Sequence, residues 1–325
     1  MRLLLHLAGL FLRGTALMFG LVGAVAGLAC LGGAFSIRLD ALTHLAPLWL
    51  ACGLAALVLG AAFSREGERW AIVGLAAVAI ISIGLLVTPE LLASAKPKAV
   101  AQPGRAVKVV QFNAWTHNDS PYASRDWLLA QKADIVLVEE GAGDAWPILQ
   151  GLRKAYPNHT HCRFRYGCDS WVFSRWPIVE ERTFRESGQD LSGVWATLDH
   201  PGGRFTVAAT HFVWPFPAGP QQVQSRMLVA DLKSLPQDDL ILTGDFNSTP
   251  WSFTLRRQDK ALGLERRTRA LASWPAGKFS RVASAPFPSL PIDHVYAGKA
   301  WKTVSVRRGP VLGSDHRPVV AVLTR

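Results

Sequence analysis

The sequence predicts a mixed α/β globular domain carried behind three membrane-spanning helices. Three observations lead there. Apolar residues are concentrated at the amino-terminal end, charge is concentrated after it, and the later part alternates short β-branched or aromatic runs with stretches of helical spacing. Of the 325 residues, 49% are hydrophobic and 18% charged, with a mean hydropathy of +0.17. Such a chain is too apolar for one ordinary soluble domain, and disordered or collagen-like structure is excluded.

Between Arg13 and Arg38 lie 24 consecutive residues without Lys, Arg, Asp or Glu; between Asp40 and Arg65 lie another 24, and between Arg69 and Glu90 a further 20. At ~1.5 Å of rise per residue, about 20 apolar residues cross a ~30 Å hydrocarbon core. The runs predict transmembrane helices at about 14–36, 42–64 and 70–90. A cleaved leader accounts for one such run, not three. Gly20, Gly23 and Gly27, with Ala24, Ala26 and Ala29, are the small residues that let membrane helices approach closely. Residues 94–106 read as a linker, with Lys96, Pro97, Lys98, Pro103, Gly104 and Arg105 and few large apolar side chains. The organisation is therefore a membrane domain (1–93), a linker (94–106) and a globular domain (107–325). The chain carries a net charge of +11; seven basic against four acidic residues up to Gly104 leave +8 for the rest, and a basic domain points to an anionic partner.

Three spans put the two ends on opposite sides of the bilayer. Arg2, Arg13, Arg65 and Arg69 on one side balance Arg38, Lys96, Lys98 and Arg105 on the other, and the usual dominance of early helices favours an inside amino terminus. Cys30 and Cys52 fall within spans. Cys162 and Cys168 are spaced for a local disulfide, which needs an oxidising compartment, or are two separate thiols. His159 and His161 do not complete a zinc-ligand spacing with them. The expected location is the cell inner membrane, with the globular domain outward, periplasmic in a Gram-negative host.

Strands are expected at Val107–Phe112, Asp134–Val138, Ser170–Ser174, Val194–Leu198, Phe205–Thr210, Leu240–Thr243, Ile292–Ala297 and Val319–Leu323, and helices at Ala123–Lys132 and Pro220–Leu235. Polar residues stand at the ends of these runs. Gln111-Phe112-Asn113 ends in an amide, Val138-Glu139-Glu140 in two acids, Thr210-His211 in an imidazole, and Gly244-Asp245-Phe246-Asn247 in an acid and an amide. Ile292-Asp293-His294 and Ser314-Asp315-His316-Arg317-Pro318 follow. Carboxylate and amide oxygens suit Mg²⁺ or Mn²⁺ rather than zinc.

In this order the set resembles the endonuclease/exonuclease/phosphatase superfamily over Val107–Leu323. The resemblance implies a four-layer α/β sandwich of the deoxyribonuclease-I-like type and a divalent-metal phosphoesterase site at one end. It implies Glu140 as principal metal ligand, with Asn113 beside it and Asp315 as a further metal or water ligand. Glu139 is the rival, since strand alternation sends neighbouring side chains to opposite faces, and the family's spacing of six after Asp134 picks Glu140. Asp245 matches the acid that orients or deprotonates the attacking water, Asn247 the amide that binds the phosphate, and His316 the imidazole acting on the phosphoryl group. Asp293 matches the acid holding that ring, and His211 a donor to a phosphate oxygen. Ser174-Arg175-Trp176-Pro177-Ile178 matches a supporting turn usually close to the site. Trp115 stands where some nucleases of the family carry a metal-binding aspartate, so a single Mg²⁺ or Mn²⁺ is implied.

The expected activity is hydrolysis of a phosphodiester, in a nucleic acid or in a phospholipid or inositol phosphate, by a membrane-anchored enzyme. No obligate protein partner is called for. Arg256, Arg257, Lys260, Arg266, Arg267 and Arg269 form a basic stretch that grips a polyanion or is a solvated helix face. Trp214, Phe216 and Trp251 stack on bases, dip into lipid or pack a loop. The alternative is an anchored binding module that keeps the fold without chemistry; it is expected to have lost acids or imidazoles at the central motif positions, and each of these keeps a chemically competent residue.

Overall fold

The computed structural model describes residues 1–95, 98–102, 104–162, 168–184, 191–278, 284–285 and 288–325; Lys96, Pro97 and Pro103 of the expected linker lie outside them. Two compact units separate, Met1–Ala93 with Trp251–Thr254, and Ser94–Pro250 with Leu255–Arg325.

In the first unit, three helical segments, Arg2–Ala34, Ile37–Phe63 and Glu66–Ser94, are long and apolar enough to cross a membrane. They pack through small residues: Ala16, Gly20, Gly23, Ala24 and Gly27 are buried on the first segment, Gly53, Ala56 and Gly60 on the second, Ala76 and Ala79 on the third. A Cβ added at Gly53 would stand 2.9 Å from that of Ala79, so the helices meet there only because no side chain intervenes. Leu21, Leu28, Val58, Ile81 and Leu85 are exposed. Such exposed apolar side chains are compatible with a surrounding of lipid tails.

The second unit holds two six-stranded sheets. In spatial order the first runs Lys302–Arg308, Val319–Thr324, Ala106–Asn113, Ile135–Glu139, Trp171–Ser174, Asn158–His161; the second runs Ile178–Thr183, Ser192–Leu198, Phe205–His211, Leu240–Asp245, Asp293–Ala297, Glu265–Arg266. Each sheet has one parallel pair at its centre, Ala106–Asn113 with Ile135–Glu139 and Phe205–His211 with Leu240–Asp245. The other neighbours are antiparallel. A short ribbon joins Gly277–Lys278 to Ser284–Ala285.

Strand periodicity sorts the side chains into layers. Val107, Val109, Ile135 and Leu137 of the first sheet meet Val194, Ala196, Val207, Ala209 and Ile241 of the second in a core between the sheets. Their alternates Val110, Phe112, Val136 and Val138 pack outward against Leu128 and against Ile148, Leu149 and Leu152, on helices Pro121–Ala130 and Trp146–Ala155. On the other side Ala208, Leu240, Leu242 and Tyr296 meet Leu228 and Leu232 of helix Ala218–Leu232 and Leu255 and Leu262 of helix Phe253–Leu262. Helix, sheet, sheet, helix is the expected four-layer sandwich.

The strands of the two large sheets that the sequence reading lacks share a cause. Asn158–His161, Ile178–Thr183, Lys302–Arg308 and Glu265–Arg266 are the four outermost strands of the two sheets. Edge strands keep one side in water and carry polar or charged residues that mask the apolar alternation. Helix Trp146–Ala155 has no counterpart in the sequence reading, and Phe253–Leu262, overlapping the basic stretch for which a solvated helix face is one reading, buries Leu255, Gln258 and Leu262. Of the basic stretch that follows, Arg266 is 3% exposed and bonds Asp259, and the Nη2 of Arg267 donates to the carbonyls of Ala297, Gly298 and Trp301, so these two brace the fold.

Candidate active site

The parallel pairs deliver their carboxyl ends to the same end of the sandwich. Asn113 lies opposite Glu139 in one sheet and His211 opposite Asp245 in the other, while Asp293, opening an antiparallel strand, lies opposite Asp245 from the far side. The register of the second pair depends on Gly244, where an added Cβ would meet the Thr210 carbonyl oxygen at 1.8 Å. The loop after Lys302–Arg308 is tied in by Ser314, whose Oγ donates to Asn113 O at 2.7 Å and accepts from His316 N at 2.9 Å.

Asp245 sits at the centre. Its Oδ2 accepts from Asn113 Nδ2 at 3.0 Å and lies 3.5 Å from His316 Nε2 and 3.7 Å from His211 Nε2; its Oδ1 accepts from Asn247 N at 2.8 Å. Each imidazole is held from behind by a second acid: His316 Nδ1 stands 2.8 Å from Asp293 Oδ2, and His211 Nδ1 3.4 Å from Asp169 Oδ1. Two carboxylate-backed rings thus aim Nε2 at one carboxylate. Asn247 hangs from Phe212 O through Nδ2 at 2.8 Å. All eight expected residues, Asn113, Glu140, His211, Asp245, Asn247, Asp293, Asp315 and His316, are brought together.

Burial and charge oppose each other here. For His211 burial lowers the pKa, but the charge and hydrogen bond of Asp169, with Asp245 and Glu140, outweigh it and bring the ring up to about 10. His316 likewise resists burial and rises well above 6.5 through Asp293 and Asp245. Burial raises Asp245 to about 6 against the pull of both rings, and it raises Asp315. Asp293 and Asp169 end lowered, burial being overcome by His316 and His211 respectively. Both rings are thus pushed toward the cation, the form in which Nε2 carries a hydrogen and donates.

Glu139 and Glu140 depart from the alternation argument. The strand ends at Glu139, and Glu140 has φ +53°, a left-handed conformation uncommon outside glycine. That twist swings the Glu140 carboxylate toward Asn113 Nδ2, 3.1 Å from Oε1. Glu139 continues the inward row of Ile135 and Leu137 and accepts from Gln111 Nε2 at 2.9 Å, so both acids lie on the site's side. Burial raises Glu139 to about 8. Between pH 4.5 and 8 the folded state keeps a proton that the unfolded chain releases, so this group's contribution to stability falls as pH rises through that window. In chelator-treated protein Glu139→Gln is expected to raise the thermal midpoint at pH 8 and leave it little changed at pH 4, read by calorimetry.

The donor set fits a hard cation. Asp315 Oδ1 is buried with no hydrogen-bond partner among the described residues, and Asp315 feels the charge of Glu140, whose side chain is 25% exposed. Two such carboxylates are the oxygen donors Mg²⁺ or Mn²⁺ takes. Asn113 steers Glu140 through Nδ2, while its Oδ1 accepts from Trp115 N at 3.0 Å. Asp245, Asp293 and His316 also place ligand atoms within 4.8 Å of one another; with Nδ1 bonded to Asp293, the His316 ring has Nε2 left for a ligand.

Arg175 pairs with Asp134 at 2.8 Å, and Ser174 lies opposite Ile135, so the Ser174–Ile178 turn supports the fold at the end of the strand away from Glu139 rather than close to the site. Trp251 is buried, whereas Trp214 and Phe216 are about half exposed. Asp169 and Gln111 were missed. Trp171–Ser174 runs antiparallel to Ile135–Glu139, so its amino end reaches the site, and the search for polar residues at carboxyl ends passed over Asp169. The adjoining Cys168 is disulfide-bonded to Cys162.

Two acid-backed imidazoles converging on one buried carboxylate, at one end of this sandwich, mark a phosphoester hydrolase of deoxyribonuclease-I-like architecture. The chain belongs to the Endonuclease/Exonuclease/phosphatase family, whose profile matches residues 110–316. It is similar in structure to the endonuclease/exonuclease/phosphatase from Beutenbergia cavernae DSM 12333, at 20% identity over 68% of this chain and 72% of that one, with a TM-score of 0.50. It is also similar to D. rerio TDP2 complexed with single strand DNA product, at 14% identity over 68% and 99% of the two chains, with a TM-score of 0.54. At these identities the likeness is one of fold. Among curated proteins none matches.

Proposed function

We propose that the protein is a membrane-anchored, Mg²⁺- or Mn²⁺-dependent phosphodiesterase of the inner membrane, its catalytic domain facing an oxidising, periplasmic space. The observation that carries the reading is the convergence of His316 and His211 on Asp245, each ring backed by its own carboxylate. The Cys162–Cys168 disulfide supports the outward orientation, and the three apolar helices support anchoring.

Glu140 and Asp315 would hold the cation, which when bound polarises a phosphate oxygen. Asp245 accepts a proton from the attacking water, whose oxygen bonds phosphorus as the ester bond breaks. The Nε2–H groups of His316 and His211 donate to the phosphoryl oxygens, where charge grows in the transition state. Asp293 and Asp169 hold the rings in place, and Asn247 lines the phosphate position. The binding-module reading predicts the same fold with no turnover.

The full chain in detergent micelles is expected to hydrolyse bis-p-nitrophenyl phosphate with Mg²⁺ or Mn²⁺; absence of turnover with either ion would favour the binding module. A panel of DNA, RNA, sphingomyelin and inositol phosphates then assigns the substrate. One observation favours a lipid. Val213, Trp214 and Phe216, directly after His211, are exposed, and Trp214 packs edge-on at 5.6 Å against Trp274, whose Nε1 donates to Asp315 Oδ2. An exposed uncharged rim of this kind suits apolar chains. Replacing Trp214 by Ala and Phe216 by Ser is expected to lower the ratio of phospholipid to bis-p-nitrophenyl phosphate turnover at least ~10-fold, since each buried aromatic contributes roughly 1.5–3 kcal/mol. A nuclease would instead lose DNA turnover through weaker base stacking.

A further inference from the structure

We propose that Gln111 and Glu139 act together as positioning residues for His316, an inference that rests on the phosphodiesterase reading. Both are fully buried, so neither reaches a substrate. Gln111 lies two residues before Asn113, on the inward row that begins with Val107 and Val109; Glu139 ends the matching row of Ile135 and Leu137 on the neighbouring parallel strand. Apolar side chains fill these rows until the site is reached, and there an amide and an acid replace them. A buried acid is costly unless its bonds serve something.

What they serve is the Asp293 carboxylate. Gln111 Nε2 donates to Glu139 Oε2 at 2.9 Å and to Asp293 Oδ1 at 2.8 Å, and Asp293 Oδ2 takes His316 Nδ1 at 2.8 Å. An amide nitrogen has two hydrogens, and each goes to one acid. With both Asp293 oxygens held, the carboxylate cannot rotate, and the imidazole plane is set with it. Glu139 in turn stops the Gln111 amide from turning away. The chain Glu139, Gln111, Asp293, His316 thus runs from the two central strands of one sheet to a strand of the other, and fixes Nε2 relative to Asp245. The role needs only an acceptor oxygen at position 139.

The test uses the full chain in detergent micelles with Mg²⁺ and bis-p-nitrophenyl phosphate. Gln111→Leu is expected to lower kcat roughly 10–100-fold, since a misplacement of about 1 Å in a catalytic group costs up to ~100-fold, with KM changed by less than about 3-fold. Glu139→Leu should act in the same direction, and Glu139→Gln, which keeps an acceptor oxygen, should restore most of the turnover. In a His316→Ala background Gln111→Leu should cost less than about 2-fold, because it works through the ring. A full, multiplicative loss in that background, or wild-type kcat in folded Gln111→Leu protein, overturns the inference; Gln111→Met serves if the leucine variant does not fold. Proton NMR of the His316 Nδ1–H signal, assigned by its disappearance in His316→Ala, separates the two levels of the argument. A wild-type protein without turnover overturns the phosphodiesterase reading alone, whereas a His316 signal unchanged by Gln111→Leu overturns the positioning role.

Discussion

Replacing His316 by alanine is expected to lower turnover of bis-p-nitrophenyl phosphate by roughly 10²–10³-fold, the usual effect of removing one donor to an oxygen on which charge develops. The ring is buried, and Asp293 and Asp245 beside it raise its pKa and favour the cation. Its removal takes away a donor to the phosphoryl oxygens and leaves Asp293 and Asp245 facing each other across the vacated space. Two carboxylates without their cation also disfavour the folded state, so the thermal midpoint is expected to fall and must be measured beside the rate. Asp293→Asn keeps the shape and gives up the charge, and it should lose less rate than His316→Ala. A wild-type rate in folded His316→Ala protein would remove the imidazole from the reaction.

Chelation should have a still larger effect. Treatment with EDTA is expected to abolish hydrolysis, and excess Mg²⁺ or Mn²⁺ to restore it, because Glu140 and Asp315 offer carboxylate oxygens with no thiolate among them. Glu140→Gln should raise the Mg²⁺ concentration needed for half-maximal rate by at least ~10-fold and lower the limiting rate, as measured by metal titration. Its carboxylate is the partly exposed one, held by Asn113 Nδ2 at 3.1 Å. If EDTA-treated enzyme kept its rate, the metal role of Glu140 and Asp315 would be lost, while the imidazole arrangement would stand.

The centre of the fold was legible and its margins were not. Strands such as Val107–Phe112 and Leu240–Thr243 sit mid-sheet, where both faces are covered, and continuous apolar runs mark them in one dimension. Ile178–Thr183, with Glu180, Glu181 and Arg182, is a strand only because Ser192–Leu198 pairs with it. The same division holds within the site. Asp245, Asn247 and His316 belong to contiguous motifs, but Asp169 carries none, and its distance to His211 is set by an antiparallel pairing and a disulfide.

Glu139 and Glu140 mark the limit of local reasoning. Alternation holds while a chain stays extended, and one left-handed residue cancels it. Three apolar runs of bilayer length, a basic α/β domain behind them and an ordered set of acids, amides and imidazoles at strand ends are all properties of residue type and spacing, so the linear chain carries them. Which oxygen faces which nitrogen, and which second acid stands behind each ring, depends on side chains 28 to 182 positions apart, as in the Gln111 contacts to Glu139 and Asp293. Those distances arise from strand register and the packing of two sheets, which no single segment encodes.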